Sequence, residues 1–349
     1  MQNKTNKLTG ICQQLLSYVL LLFCLTACTH KNVPDVSKIA IRVHIDRFDQ
    51  ALDKLDTINI TPALQKLEQQ YPLFLPSYTE HIMHFGPFSD TAHLMLWQIR
   101  KLVGNNDFRL LQDSINAHYK DVKQIEDDLA QSFKFIKYYF PQFQPPTKVV
   151  TFSSMISNYG AVTVDSTLGI GLDMYLGEDF PIYGMLPDYP GYMVRKFSPE
   201  YIVPNCIQVL AQQLYPGGEP GDKLVIQLVN AGKHQYFMEQ VMPYTDDSLR
   251  LGYTGEQVKW CFDNEQMIWQ YFVQQDLLYK SDWQNNMHFM NDGPSTQGMP
   301  EGSPGRIGAF VGWRIVQAYM KAHPEVTLKQ LMDNKDAMSI FQQSKYRPK

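Results

Sequence analysis

Along this chain the apolar residues first cluster, then alternate, then settle into helical spacing. The longest apolar stretch is residues 15–25, LLSYVLLLFCL, which is short for a membrane-spanning helix. Ile39 to Ile45, IAIRVHI, alternates in the manner of a strand, and from Phe48 to Phe140 apolar residues recur with helical periodicity. Thr61 and Pro62 are expected as N-cap and first-turn residue of one helix. Ser89 and Asp90 precede another carrying Leu94, Trp97 and Val103, and residues 121–139 form a further one. The segment PQFQPPT, residues 141–147, interrupts the pattern and marks a lobe boundary. Three strand-like runs follow, KVVTFSS, GAVTV and LGIGL, and an antiparallel meander is the simplest arrangement for them. A loop rich in Tyr, Pro and Gly occupies residues 173–198. Helices are then expected at 199–214, 224–242, 254–278 and 303–320, with shorter ones near the end. The fold class is α+β, predominantly α-helical: a helical N-terminal lobe, 39–145, and a C-terminal lobe, 146–349, with a small antiparallel sheet plus helices. No internal repeat is present.

Charge and chemistry change the meaning of the leader. Lys4 and Lys7 precede the apolar run with no acidic residue between, and the run ends in Leu25, Thr26, Ala27, Cys28. That order is similar to a bacterial lipobox, so residues 1–27 read as a lipoprotein signal peptide and Cys28 as the lipid attachment site. A plain secretory signal or an uncleaved anchor is the alternative. Acyl chains such as palmitate would hold the protein on a membrane, each buried methylene contributing about 0.8 kcal/mol. Residues 28–38 would be a polar tether. Removing the leader takes away two lysines and moves the formal charge from −4 to −6. No Lys/Arg cluster offers the concentrated basic face that nucleic acid needs, so no nucleic acid partner is expected. With the leader gone and Cys28 acylated, Cys206 and Cys261 remain, either as one disulfide or as two buried thiols on separate helices.

Catalytic motifs do not appear. The chain has no G-x-S-x-G elbow, no phosphate-binding G-x-x-x-x-G-K-[ST] loop and no H-E-x-x-H. Gly169 and Gly171 begin a dinucleotide fingerprint, but Met174 takes the third glycine position. His81 and His84 read as a surface pair rather than metal ligands. No catalytic residue, cofactor or metal is therefore expected. The loop GLDMYLGEDFPIYGMLPDYPGY, residues 171–192, brings Asp173, Tyr175, Glu178, Asp179 and Tyr183 together as a candidate binding loop; its alternative is a loop whose tyrosines cover the core while its acids face water. Thr254 and Gln257 form a capping box, and the helix they start places Glu265 in an apolar stripe with Val258, Cys261, Ile268 and Phe272. A carboxylate there needs a partner, for which Arg306 or Arg195 is the candidate, or it is a pocket acid. Ser303 and Pro304 are expected to start a helix in which Gly305, Gly308 and Gly312 make a side-chain-free strip, suited to close packing of another backbone.

Four segments behind the lipobox carry a resemblance: GLDMYLGEDFPIY (171–183), NAGKHQYFMEQVMP (230–243), YTGEQVKWCFDNEQMIWQYF (253–272) and SPGRIGAFVGWRIVQAYM (303–320). Together they resemble the gliding motility lipoprotein GldB family over nearly the whole chain after the leader. The resemblance implies a lipid-anchored envelope protein grouped with the gliding machinery, with no established enzymatic activity; the expected orientation on the membrane is toward the periplasm. The order of strands followed by helices 199–214 and 224–242 is also distantly similar to the metal-binding core of gluzincin-type peptidases. The zinc ligands of that core are missing here, which makes the C-terminal lobe degenerate and zincin-like. The expected function is a non-catalytic accessory or scaffold that binds an envelope partner. The alternative is a peptidase-like hydrolase with an unconventional or lost metal site.

Overall fold

The helices that precede the first long strand have apolar faces on one side, and those faces decide where the sheet can sit. A computed structural model describes residues 33–219 and 221–348; the leader, the lipobox and Cys28 lie outside the described residues. After the short strand β1 (Ile45–Asp46) come helices α1 (Phe48–Asp53), α2 (Ile60–Gln70), α3 (His93–Val103), α4 (Asn106–His118) and α5 (Lys123–Tyr139). Their buried residues gather around Phe48, whose ring meets Tyr71, Phe74 and Tyr78 edge-on at about 5 Å between centroids. Val150 and Phe152 from the sheet complete the same cluster. Residues on both sides of the double proline thus share one core, and Val36–Lys349 forms one compact unit.

Several starts differ from the sequence expectation. The alternation across residues 39–45 is present, with Ile39, Ile41 and Val43 half-buried and Ala40, Arg42 and His44 exposed. Only Ile45 and Asp46 form strand, because Ile45 lies opposite Val149 and earlier residues run past the beginning of the partner strand. Helix α2 starts at Ile60, so Thr61 sits inside its first turn instead of capping it. Leu94 and Trp97 of α3 face solvent, and Met95, Ile99 and Val103 form its core face.

The sheet is mixed, not an antiparallel meander. Strands β2 (Lys148–Phe152), β3 (Ala161–Val164) and β4 (Thr167–Gly171) pair with β1 in the order β1-β2-β4-β3. β2 runs parallel to both β1 and β4, and only the β3–β4 hairpin is antiparallel. Burial explains the order. Val149, Val150, Leu168 and Ile170 are covered on both faces, which suits two central parallel strands, whereas β3 is half-exposed throughout and takes the edge.

Helices α6 (Ile202–Leu214), α7 (Leu224–Val241), α8 (Asp247–Leu251), α9 (Gly255–Asp263), α10 (Glu265–Gln274), α11 (Trp283–Met290), α12 (Ile307–Ala322), α13 (Leu328–Asp333) and α14 (Ala337–Ser344) complete the chain. The helix expected across 254–278 is two helices. Its capping box is present, but the Asn264 side chain donates to Trp260 O at 2.9 Å and the backbone turns there before α10 begins. The start expected at Ser303 moves to Ile307, with Arg306 in the left-handed conformation at the N-cap. Ser303 instead accepts from Thr296 N at 3.3 Å, and Thr296 donates to Pro304 O at 2.6 Å, fixing the loop before the helix. Helix α12 crosses α7 through two glycines. A Cβ on Gly232 would stand 2.0 Å from Gly312 O, and one on Gly312 would stand 1.8 Å from Leu228 O. Of the expected strip, Gly305 lies before the helix and Gly308 meets Met290 Sδ and Phe289 O, so only Gly312 packs against the α7 backbone, with Ile307, Phe310, Val311 and Ile315 buried beside it.

Candidate functional site

The 171–192 loop is held from within. Asp173 is fully buried, and its Oδ2 accepts from Ser154 N at 2.9 Å, Ser154 Oγ at 2.9 Å and Ile156 N at 2.6 Å. The hydroxyl of Tyr183 donates to Asp173 O at 2.6 Å and accepts from Leu176 N at 3.1 Å. Tyr175 accepts from Asn205 Nδ2 at 2.8 Å through its hydroxyl, and Tyr119 donates to its carbonyl. Asp173, Tyr175 and Tyr183 are therefore buried anchors of the loop. Glu178 and Asp179 are exposed, as are Ile182 and Met185.

Burial pushes the Asp173 carboxyl up from 3.8 to about 6, against the three bonds from Ser154 and Ile156 that favour its charge. Its Oδ1 has no hydrogen-bond partner. A carboxyl whose folded pKa is raised takes up a proton more readily in the folded state. The folded protein thus carries no penalty from this group below about pH 3.8, acquires one between about pH 4 and 6, and keeps it above, on the order of 3 kcal/mol. Asp173→Asn should remove that slope. Urea unfolding of both proteins at pH 4, 5, 6 and 7 should show the wild-type stability falling relative to the variant across this interval. A constant difference would refute the assignment.

Glu265 lies elsewhere. It opens α10, its side chain is 14% exposed, and it accepts from Arg314 Nε at 2.8 Å and from the Tyr346 hydroxyl at 2.7 Å. The partner is Arg314, not Arg306 or Arg195, because the break at Asn264 reorients the residues that follow. The same carboxylate borders a surface depression with Arg314, Gln317 and Tyr346. Cys206 and Cys261 are buried free thiols, and burial raises both, Cys261 to about 12. His81 and His84 are exposed. Among the described residues no three His, Cys, Asp or Glu side chains are grouped to hold a metal ion.

Tyr175 and Arg306 meet at a polar cleft of about 300 Å³ beside the edge strand β3. Helix α6 contributes Asn205 and Gln208 to one wall, and Lys196, Arg250 and Asp292 line it from other segments. Lys196 Nζ is 2.9 Å from Asp292 Oδ2, and Arg306 Nε is 4.0 Å from Asp292 Oδ1. Burial opposes ionisation of Asp292, but Arg306 and Lys196 outweigh it and hold the carboxyl below its ordinary value. Arg195 is already committed, donating to the Tyr201 hydroxyl at 2.9 Å and to Gly252 O at 2.9 Å. Sequence reading reached Arg306 and Tyr175 but missed Lys196, Arg250 and Asp292. The adjacent Arg195 and Lys196 at the exit of the tyrosine loop were a visible signal, whereas Arg250 and Asp292 come from distant segments that only tertiary packing brings here.

No described helix is long and apolar enough to cross a membrane. Neither the curated proteins nor the solved structures contain a significant match to the chain. A family model described as gliding motility protein GldB matches residues 29–348. The match extends through the anchored loop, the cleft and the glycine crossing, and on it this chain belongs to the gliding motility protein GldB family.

Proposed function

We propose that the protein is a non-catalytic accessory lipoprotein of the cell envelope, held to a membrane through Cys28 and facing the periplasm, which docks an envelope protein through the 173–192 loop. Family membership supports the gliding motility and lipoprotein part of this reading. The observation that carries the docking part is the division within the loop. Asp173, Tyr175 and Tyr183 fix it internally, while Ile182 is 41% and Met185 73% exposed beside the exposed acids Glu178, Asp179 and Asp188. A rigid loop with apolar tips and an acidic rim loses little conformational entropy on binding, which favours recognition by a partner. The strands followed by α6 and α7 also support a degenerate, zincin-like C-terminal part. In α7 the place where the resemblance to gluzincins expects a glutamate ligand reads Asn230, Ala231, Gly232, Lys233, and Lys233 donates to Met332 O at 3.0 Å and Asn334 O at 2.7 Å.

Two measurements test the reading. Cys28→Ser should abolish labelling by a radioactive fatty acid and move the protein from the membrane to the soluble fraction; unchanged membrane retention would sink the anchor. In-cell crosslinking should recover one defined envelope protein, and Met185→Ser with Ile182→Ser should reduce that product at least several-fold without lowering protein abundance. Equal recovery from the doubly substituted protein would remove the loop from the proposal.

A further inference from the structure

Charge of one sign is gathered around an apolar floor in a groove that runs along α5 and is closed by the start of α6 and the turn joining α7 to α8. It holds about 710 Å³, and its floor consists of Ile125, Phe135, Val203 and Leu249, which are buried or half-buried. Asp121, Asp128, Glu200 and Asp246 line it too, and all four are exposed. No Lys, Arg or His is among the lining residues, although the whole chain sets 31 Lys and Arg against 35 Asp and Glu. The acids are therefore segregated here. Cations close to them in sequence are spent elsewhere, Lys123 on Asp127 and Glu126, and Arg250 on Asp247. Among the described residues none of the four carboxylates has a cation within 4 Å. Tyr244 stands at the same rim, 76% exposed, its ring meeting Phe135 at 6.1 Å between centroids. An aromatic ring steadied by another ring and open to solvent is suited to a cation or to the aliphatic stem that carries one.

We infer that this groove docks a basic segment of a partner polypeptide, one in which Lys or Arg residues flank apolar side chains. Charge complementarity selects the occupant, since four carboxylates without a cation of their own favour a partner that brings several. The charge is also spread out. Among the described residues no three His, Cys, Asp or Glu side chains are grouped to hold a metal ion, so the groove suits cations spaced along a chain and not a single ion. Its apolar floor gains contact only from side chains that a bare polycation lacks. An anionic lipid surface or a nucleic acid would meet four like charges. The groove shares no residue with the 173–192 loop, so the inference stands whether or not that loop docks a partner.

Fluorescence anisotropy on the full lipoprotein in detergent tests this, with protein-free micelles as background. The probes are three labelled peptides of equal length: one alternating Lys with Leu, one alternating Glu with Leu, and one alternating Lys with Ser. The Lys/Leu peptide should bind saturably and more weakly as salt is raised, and the other two should bind roughly tenfold more weakly or not at all. Asp121→Asn combined with Glu200→Gln should lower the Lys/Leu affinity roughly tenfold, and Tyr244→Ser should lower it several-fold. All three side chains are exposed, so these variants should fold, and circular dichroism checks this. Glu178→Gln combined with Asp179→Asn removes two acids from the loop instead and should leave binding unchanged. Absence of binding above the micelle background, equal binding of the Glu/Leu peptide, or undiminished binding by the folded Asp121→Asn, Glu200→Gln protein would each overturn the inference. It would also fall if the Lys/Ser peptide bound as tightly, which assigns a bare polycation, or if the loop variant lost binding equally, which moves the peptide to the loop. Concentration-dependent dimers abolished by Tyr244→Ser would make the occupant a second copy of this chain and overturn it too.

Discussion

Gly312→Ala should destabilise the protein by about 3 kcal/mol or more, the upper range of overpacking effects. One added methyl group is small, but the atoms it meets cannot yield. Its Cβ would stand 1.8 Å from Leu228 O and 2.7 Å from Leu228 C, both backbone atoms inside α7. The helices would have to separate, uncovering Leu228, Val229, Phe310 and Val311, all of them buried. Alanine's better helix propensity returns only about 1 kcal/mol. Gly232→Ala should behave alike, since its Cβ would lie 2.0 Å from Gly312 O across the same crossing. The double variant should cost much less than the sum, because once the backbones part the second methyl has room. Gly255→Ala is the control: nothing lies within 4 Å of its added Cβ, so it should leave stability unchanged or raise it by a few tenths of a kcal/mol. Urea midpoints for the four variants and the wild type decide the matter, and a Gly312→Ala protein within about 1 kcal/mol of wild type would show that the crossing is not tightly constrained.

This crossing was legible in sequence because glycine repeated at helical spacing in an otherwise apolar helix has few other uses. The same holds for the capping box at Thr254 and for the helices between Phe48 and Phe140, whose periodicity reflects burial on one side. The sheet was not legible. Runs such as KVVTF and LGIG report burial on both faces but not the neighbour in space, and β2 and β3, consecutive along the chain, are separated in the sheet by β4. A local hydrogen bond also outranked periodicity at Asn264, where the side chain turned the backbone that the apolar pattern would have continued, and at Ser303 the expected cap is spent on Thr296 N instead. Of the candidate site, the tyrosine loop was found as a segment, yet its residues divide into buried anchors and exposed tips. That division depends on Ser154, Ile156 and Asn205, which no spacing within the loop announces. The cleft is the extreme case, its cations contributed by segments more than fifty residues apart, as Lys196 and Arg250 illustrate.

Asp49→Ala is expected to cost about 3–5 kcal/mol, the usual penalty for breaking a buried ion pair from one side. Asp49 is 1% exposed and accepts from Arg47 through both its oxygens, with Nε–Oδ1 at 2.9 Å and Nη2–Oδ2 at 2.7 Å. Gln112 donates to it at 2.8 Å and the Thr151 hydroxyl donates as well, so the carboxylate joins α1 and α4 to the central strand β2. Alanine would leave three donor groups without their acceptor beneath the sheet. Burial opposes the charge of Asp49, but Arg47 together with the hydroxyl and amide donors prevails and lowers the carboxyl below its ordinary value of 3.8. A lowered carboxyl stabilises the fold above the unfolded pKa and loses that contribution as the solution is acidified below about pH 3.8. Asp173 has the opposite sign, its penalty growing from about pH 4 to 6. The two aspartates are therefore separable by titration: Asp49→Asn should narrow the loss of stability on the acid side of pH 4, whereas Asp173→Asn should alter only the interval above it. Denaturant unfolding of both variants from pH 3 to 7 measures this, and coincident pH profiles for the two would contradict the distinct partners that the structure gives them.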